Sequence, residues 1–538
     1  MTVGVRVRFG MNDAPCGSAA DARSAPFAPI PNRLRQVLRR LTAALRRPEH
    51  IVSRYCSALR VALLVAVMLL VSSITASVVA APQNLPDMGE PADSSLSPLE
   101  EQQLGAEFMR QIRAGLPLVR DVQLEEYIQA LGMRLALASG KTGGQPFTFF
   151  IIDDADINAF AIPGGYVGIN AGLIDAMQRE EQLAGVVAHE VAHVTQRHHA
   201  RAFATGNRAS LSAAAAVLAA IVIGQASPEA GQAALAAGIA ATQQSAINFT
   251  RSNEIEADRI GIEILANANY DARAMAESFS ILRRRNTLNT TNSGLEYLRT
   301  HPLDSNRIAE AADRAVAKPR ADAVSQTDFL LFKARLAVLT TEDAARLERA
   351  FRSLLSSDDD EAVGAAYALA LLALRGNRLE EAATHLEQLA KEAPAHPMVA
   401  LLQADLLEAE GRESESRRQL EDLNKLYPER FSIAEKRIEQ LSRAGRVDNA
   451  LDVSLSYLRG VERPDPLAWR QLASIRQQLG DSAGSHEALA HYFEAFDELE
   501  RAESQFELAL RNAPAASQDE LRLQASLKAI RERAARRR

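Results

Sequence analysis

Residues 185–202 read GVVAHEVAHVTQRHHARA and hold four of the ten histidines in the chain. Within this stretch His189, Glu190 and His193 form the pattern H-E-x-x-H. Residues four positions apart share one face of an α-helix, so both imidazoles can bind one metal ion. Glu190 lies beside that face, where it can take a proton from a water molecule that the metal polarises. The pattern therefore predicts one Zn²⁺ per chain, with His189 and His193 as ligands and Glu190 as the catalytic base.

Two further histidines follow closely, His198 and His199. Apolar residues recur at helical spacing through this region, which predicts one α-helix over 180–202. On a straight helix His198 and His199 lie too far beyond His193 to converge on the same ion. We therefore expect them to be solvated or to contact the ligands from outside.

A catalytic zinc ion needs a third protein ligand and an open position. No third histidine follows in the form H-x-x-G-x-x-H, which excludes that class of zinc site. A further predicted helix, 253–268, carries Glu254 and Asp258 four residues apart on one face, whereas Glu256 points away. We assign Glu254 as the third ligand and Asp258 as the carboxylate that orients a ligand histidine.

The elements before the H-E-x-x-H helix include short strands. Residues 99–138 have helical apolar spacing, PFTFFIID (146–153) is typical of a strand, and 157–170 is typical of a second strand pair with a turn at its Pro-Gly-Gly. Aromatic residues make up only 5% of the chain, which favours helix elsewhere. The predicted fold is mainly α (α+β), a metallopeptidase-like domain with a small β-sheet.

After about residue 325 the sequence becomes periodic. Gly376, Gly411, Gly445 and Gly480 are 34 or 35 residues apart, and prolines at 394, 428 and 464 follow a similar period. Glycine after one helix and proline after the next, with a period near 34, is typical of tetratricopeptide repeats. The aromatic positions are only partly filled, so we predict an α-solenoid of degenerate repeats rather than a generic helical bundle.

The N-terminal region predicts export. Residues 1–81 contain eleven arginines and three acidic residues, a net charge of +8, and end in the apolar run VALLVAVMLLVSSITASVVAA. A basic flank, an apolar run and small residues at its end form a secretory signal, with an uncleaved membrane anchor as the alternative. Both cysteines, Cys16 and Cys56, precede the run, so the exported body has no disulfide framework.

Charge and composition also set the domain boundaries and exclude one class of partner. The whole chain has a formal charge of −7, which leaves −15 for residues 82–538 and argues against nucleic acid. The Ala-rich stretch 210–247 predicts two core helices, or alternatively a flap or a surface in contact with a membrane. We divide the chain into an N-terminal extension and signal (1–81), a linker (82–98), a zinc metallopeptidase domain (99–320) and a tetratricopeptide-repeat domain (325–538).

The motifs resemble a known family. H-E-x-x-H, followed some sixty residues later by the E-x-E-A-D-R-x-G sequence of 254–261, is similar to the prenyl-protease-like and HtpX-like family of gluzincin metallopeptidases. The segment NAFAIPGGYVGINAGLI resembles the part of that family that precedes the active-site helix, and Thr300-His301-Pro302-Leu303 with Arg307 resembles a further family motif. The resemblance implies that His189, His193 and Glu254 bind zinc, that Glu190 is the base, and that His301 and Arg307 lie near the metal.

The resemblance leaves three roles open for His301. It stabilises the oxyanion of the tetrahedral intermediate, or it occupies the fourth zinc position and keeps the enzyme latent, or it only caps a loop before Pro302. Gluzincin-type sites take the substrate as an extended strand at a sheet edge. For that edge we predict Gly164, Gly165 and Gly168, although a structural hairpin accounts for these glycines equally well.

The resemblance to family members that combine a signal sequence with repeats implies a periplasmic location for this protein. It also implies unfolded or misassembled outer-membrane proteins as substrates, and the β-barrel assembly machinery as a partner of the repeat domain. The predicted function is an exported zinc endopeptidase in the quality control and assembly of outer-membrane β-barrel proteins. The alternative is a chaperone or scaffold with a latent protease site, and a second alternative is a protease that keeps residues 61–81 as an anchor.

Overall fold

The computed structural model describes most of the chain after residue 95. The described ranges are 96–141, 146–204, 243–288, 296–322, 325–355, 361–393 and 396–536. The predicted signal segment 61–81 and most of the Ala-rich stretch 210–247 lie outside these ranges. Within the described ranges, no helix has both the length and the apolar character that crossing a bilayer requires.

Two helices open the described chain, where the sequence predicted continuous helical spacing. Helix α1 spans Pro98–Gly115 and begins with a capping box between Ser97 and Glu100. Helix α2 spans Val122–Ala138 and is capped by the side chain of Asp121. The division falls at Pro117, because proline lacks the amide proton that a continuing helix would use.

A three-stranded sheet follows, as predicted. Its strands are β1 (Thr148–Ile152), β2 (Ala159–Ile162) and β3 (Tyr166–Asn170), in the order β1-β3-β2. Strand β3 pairs parallel with β1 and antiparallel with β2. A 3₁₀ turn, Pro163–Gly165, joins β2 to β3 and confirms the turn predicted at Pro-Gly-Gly.

The helix that carries H-E-x-x-H is shorter than predicted. Helix α3 spans Ala171–Ala176, α4 spans Glu180–Thr195, and α5 spans His198–Ala204. All residues of α4 from Glu180 to Val194 are buried. Arg197 adopts a φ of 51°, which ends α4 and turns the chain back on itself. The prediction of one straight helix over 180–202 was therefore wrong.

Four more helices follow in the first half, and the first two of them pack directly on α4. They are α6 (Gln243–Asn267), α7 (Ala274–Leu288), α8 (Glu296–Thr300) and α9 (Ser305–Val316). The largest hydrophobic cluster combines apolar residues of α2, the sheet, α4, α6 and α7, among them Val187, Val191 and Ile262. Helix α4 is thus the central element, and its polar residues face a site that the surrounding helices enclose.

The second half is a succession of helical hairpins, as predicted. The helices are α10 (Thr327–Thr340), α11 (Ala344–Leu355), α12 (Ala362–Arg375), α13 (Leu379–Glu392), α14 (Pro397–Ala409), α15 (Glu413–Leu426), α16 (Phe431–Arg443), α17 (Val447–Gly460), α18 (Pro466–Gln478), α19 (Ser482–Ala495), α20 (Leu499–Asn512) and α21 (Gln518–Ala535). Gly411, Gly445 and Gly480 lie between the two helices of a pair with φ values of 71–78°. Their spacing in the sequence therefore marks the left-handed turn of each hairpin.

Helix α2 packs against the helical repeats and forms hydrogen bonds with them. Val122 belongs to the same hydrophobic cluster as Phe431 of α16, and Glu126 accepts hydrogen bonds from the backbone and hydroxyl of Ser432. Arg335 of α10 binds both oxygens of Asp121 at 2.8 and 2.6 Å. The described residues from 96 to 536 belong to one compact unit. The boundary proposed at 320–325 stays a prediction.

Candidate active site and metal centre

Three elements bring four potential metal ligands to one place. His189 and His193 lie on α4, Glu254 lies on α6, and His301 follows α8. Each offers one ligand atom, and these four atoms lie within 4.8 Å of one another. All four side chains are buried.

The distances between the donor atoms fit a tetrahedral metal site. With ligands about 2.0–2.1 Å from a zinc ion, neighbouring donor atoms lie about 3.3 Å apart. Nε2 of His189 lies 3.0 Å from Nε2 of His193, and each of these nitrogens lies 3.4 Å from a carboxylate oxygen of Glu254. Two imidazoles and one carboxylate at these separations form a donor set that suits zinc.

His301 supplies the fourth donor at similar distances. Its Nδ1 lies 3.3 Å from Nε2 of His189 and 3.1 Å from Oε2 of Glu254. The ring of Tyr297 stacks on the His301 ring with centroids 4.8 Å apart, and the backbone amide of His301 donates to the Tyr297 carbonyl. His301 is therefore held inside the donor set rather than at the surface of a loop.

Glu190 lies beside the donor set without joining it. Its side chain is 1% exposed, and its Oε1 lies 3.6 Å from Nε2 of His301. Within the described residues, neither carboxylate oxygen of Glu190 has a hydrogen-bond partner. A buried carboxylate without a partner is costly, and a substrate or a water molecule is the kind of group that would supply one.

Asp258 and Arg307 support His189 from outside the donor set. Asp258 Oδ1 lies 2.9 Å from Nδ1 of His189, the ring nitrogen that faces away from the other donors. Arg307 donates to both Asp258 oxygens at 2.8 and 2.7 Å, and Nη1 of Arg307 lies 3.0 Å from Glu254. The structure thus places both residues where the sequence and the resemblance put them.

The carboxylates give the site a strong preference for positive charge. Burial alone would lower the pKa of His189, but its hydrogen bonds to Asp258 and Glu254 outweigh burial and raise that pKa to about 10. Burial alone would raise the pKa of Glu254, yet the neighbouring His301 and His193 hold it well below its ordinary value. A metal cation would satisfy the same negative potential.

The sequence predicted that His198 would be solvated or would contact the ligands from outside, and the structure shows the second of these. After the turn at Arg197, Nδ1 of His198 lies 2.9 Å from Nδ1 of His193, and Nε2 of His198 lies 3.4 Å from Glu256. His198 is only 3% exposed. Arginine at position 197 carries no recognisable signal for a left-handed turn, so the sequence did not identify which ligand His198 contacts.

His199 is half-buried. Burial is the largest influence on this histidine and lowers its pKa to about 4, while a hydrogen bond to the backbone of Ala161 in β2 acts in the opposite direction. His199 therefore contacts the sheet, whereas its neighbour His198 contacts a predicted metal ligand.

The three glycines predicted to form the substrate-binding edge do not lie in an edge strand of the described sheet. Gly168 is in the central strand β3, where it pairs with Phe150 on one side and with Phe160 on the other. A Cβ atom at Gly168 would lie 2.8 and 2.9 Å from those two rings, so this glycine serves packing. Gly164 and Gly165 are buried in the 3₁₀ turn. The prediction was wrong for Gly168, and β2 is an edge strand of the described sheet.

The H-E-x-x-H helix, the third carboxylate from a second helix and the small sheet define a helical metallopeptidase domain. The model of peptidase family M48 matches residues 122–315, and the chain therefore carries an M48 peptidase domain. This match covers α2 to α9 and contains every residue predicted for the metal site. The domain is followed by helical repeats that the family model does not include.

Relatives extend the similarity beyond the domain. A protein of Vibrio cholerae is 41% identical over 315 residues, which is 58% of this chain and 64% of the relative. The beta-barrel assembly-enhancing protease of Escherichia coli K12 is 38% identical over 331 residues, 60% of this chain and 66% of the relative. The mitochondrial metalloendopeptidase OMA1 of Bos taurus is 32% identical over 183 residues, 33% of each chain. The alignments thus span just under two thirds of the bacterial relatives.

Proposed function

We propose that this chain is an exported zinc endopeptidase that acts on unfolded or misassembled outer-membrane β-barrel proteins. One observation carries the enzymatic part: four buried donors lie within 4.8 Å of one another, beside Glu190, whose carboxylate has no hydrogen-bond partner among the described residues. The substrate class follows from the similarity to a protease that is named for β-barrel assembly. The periplasmic location rests on the signal pattern of residues 61–81.

In this proposal His189, His193 and Glu254 hold the ion. Bound zinc supplies a Lewis acid that polarises the scissile carbonyl and acidifies the attacking water. Glu190 accepts the proton of that water and delivers it to the leaving amine. Asp258 accepts a hydrogen bond from His189, and Arg307 fixes Asp258 through two parallel hydrogen bonds.

The decisive experiment compares the wild type with Glu190→Gln. Zinc content is measured by mass spectrometry, and cleavage is measured on an unfolded β-barrel protein. We expect full zinc content in both proteins and a loss of at least about 100-fold in cleavage by Glu190→Gln, because proton transfer contributes on this scale. Full zinc content with undiminished cleavage by the variant would refute the assignment of Glu190.

A matched control is available on the same helix. Glu181 is buried like Glu190, with 5% of its surface exposed, but it accepts a hydrogen bond from Gln326 at the far end of α4. Glu181→Gln can preserve that contact and should keep both zinc and cleavage. A similar loss of cleavage in Glu181→Gln and Glu190→Gln would indicate damage to the helix rather than loss of a base.

A chaperone or scaffold with a latent protease site is the second candidate function. The presence of His301 in the donor set favours it, because a fourth protein ligand leaves no open position for a substrate. Full assembly of β-barrel proteins by Glu190→Gln would support this second function. Impaired assembly by the same variant would support the protease.

A further inference from the structure

The two predicted ligand histidines of α4 contact different residues through the ring nitrogen that faces away from the other donors. His189 faces Asp258, which is bound by Arg307, as the sequence predicted. His193 faces His198, a residue that the sequence analysis set aside. Ligand histidines almost always donate their second ring N–H to an acceptor, which fixes the tautomer and the ring orientation.

The contacts of His193 fix the direction of its hydrogen bond. Nε2 of His193 faces His189 and Glu254 inside the donor set, so the ring proton belongs on Nδ1. That Nδ1 lies 2.9 Å from Nδ1 of His198, which must then accept the hydrogen bond. The remaining proton of His198 is on Nε2, the atom that lies 3.4 Å from Oε2 of Glu256.

Arg201 closes this chain of contacts. Its Nη2 donates to Oε2 of Glu256 at 2.7 Å, the same oxygen that faces His198. In the chain of contacts His193-His198-Glu256-Arg201, each contact therefore pairs one donor with one acceptor, and no proton is counted twice. The order matches the support of His189, where a carboxylate is likewise held by an arginine.

We propose that His198, anchored by Glu256 and Arg201, is the positioning residue that orients His193 for metal binding. This inference rests on the metal centre of the proposed function, but it does not require that the centre cleave peptides. The turn of the chain at Arg197 makes this contact possible, since a straight continuation of α4 would carry His198 away from His193. The sequence predicted that Glu256 points away from the metal. From that side of the helix it contacts His198 and Arg201.

The test measures zinc affinity by competition with a chromogenic chelator, with no substrate present. His198→Leu removes the acceptor at similar volume and should weaken zinc binding about 10- to 100-fold. His198→Asn places an amide oxygen close to the position of Nδ1 and should recover most of that loss. Glu256→Gln should give a smaller loss than His198→Leu, because it only loosens the anchor.

His199→Leu is the matched control, since it changes the neighbouring histidine, which is half-buried and forms a hydrogen bond with the backbone of Ala161 in β2. It should leave the zinc affinity within about twofold of the wild type. Wild-type affinity in a folded His198→Leu protein, or equal losses in both leucine variants, would overturn the proposal. Circular dichroism of the zinc-free proteins establishes folding.

Cobalt substitution adds a readout that a merely structural role would not change. The visible bands of bound Co²⁺ report the geometry of the ligands, so they should shift in His198→Leu and return towards the wild type in His198→Asn. Identical bands in all three proteins would contradict a positioning role. If the wild type binds zinc but does not cleave β-barrel proteins, the proposed function fails while this inference stands or falls on the affinities.

Discussion

His301 is the residue whose role decides whether the proposed zinc site is open or latent. Its Nδ1 lies at ligand distance from the other donors, and its Nε2 lies 3.6 Å from the proposed base Glu190. Of the three roles that the sequence left open, this position favours the fourth ligand of a latent enzyme. The stacked ring of Tyr297 holds His301 in place, so opening the site requires that the segment around His301 move.

We expect His301→Ala to raise proteolysis several-fold at unchanged zinc content. Removal of the fourth donor leaves three protein ligands and an open position, the arrangement of catalytic zinc sites. The measurement is the cleavage rate of an unfolded β-barrel protein per bound zinc ion. Loss of proteolysis at full zinc content would instead indicate that His301 stabilises the oxyanion of the tetrahedral intermediate. An unchanged rate would indicate that His301 only caps the loop before Pro302.

The elements of the fold could be predicted from the sequence where local patterns determine them. The strands, the H-E-x-x-H helix and the hairpin period all follow from apolar spacing and from glycine and proline positions. The sequence allowed His198 to contact a ligand from outside, but it could not predict that this ligand is His193, because a single left-handed residue, Arg197, redirects the chain. The position of Gly168 depends on strand order, which apolar alternation does not encode.

The packing of α1 on the turn between β2 and β3 gives a test at the scale of elements. A Cβ atom at Gly105 would overlap the carbonyl oxygen of Pro163, whereas a Cβ atom at Gly115, the last residue of the same helix, meets nothing within 4 Å. We expect Gly105→Ala to lower the free energy of unfolding by about 2–3 kcal/mol, because backbone cannot yield as a side chain can.

Gly115→Ala serves as the control and should change stability by less than about 1 kcal/mol. Urea unfolding followed by circular dichroism measures both variants. Equal stabilities would show that α1 is not packed on the turn as described.

At the scale of the whole molecule, the helical repeats contact the predicted peptidase domain through helix α2. Arg335 pairs with Asp121, Ser432 donates to Glu126, and Val122 enters the repeat core. Deleting residues 325–538 would therefore expose apolar surface and leave Asp121 without its ion pair. Such a deletion does not separate recruitment of a partner from stabilisation, so single substitutions at the junction are the better instruments.

The same junction brings several acidic side chains together, most of them half-buried. Burial is the main cause that raises the pKa of Glu435 in α16 to about 8, and the carboxylates of Glu439, Asp465, Asp121 and Glu126 add to the effect. Its ordinary value is 4.5. A carboxyl group with a raised folded-state pKa binds more protons in the folded than in the unfolded protein between these two values. Stability should therefore increase as the pH falls from above 8 towards 5.

Glu435→Gln should remove much of this pH dependence. At pH 8.5 the variant avoids an ionised, largely buried carboxylate, and we expect it to be more stable than the wild type by roughly 1–3 kcal/mol. At pH 5 the wild-type carboxyl is protonated in the folded state, and the gain should shrink to near zero. Glu429→Gln, an exposed change in the loop before α16, should show no such trend. Urea unfolding across this pH range measures the difference, and a constant difference at all pH values would contradict a raised pKa at Glu435.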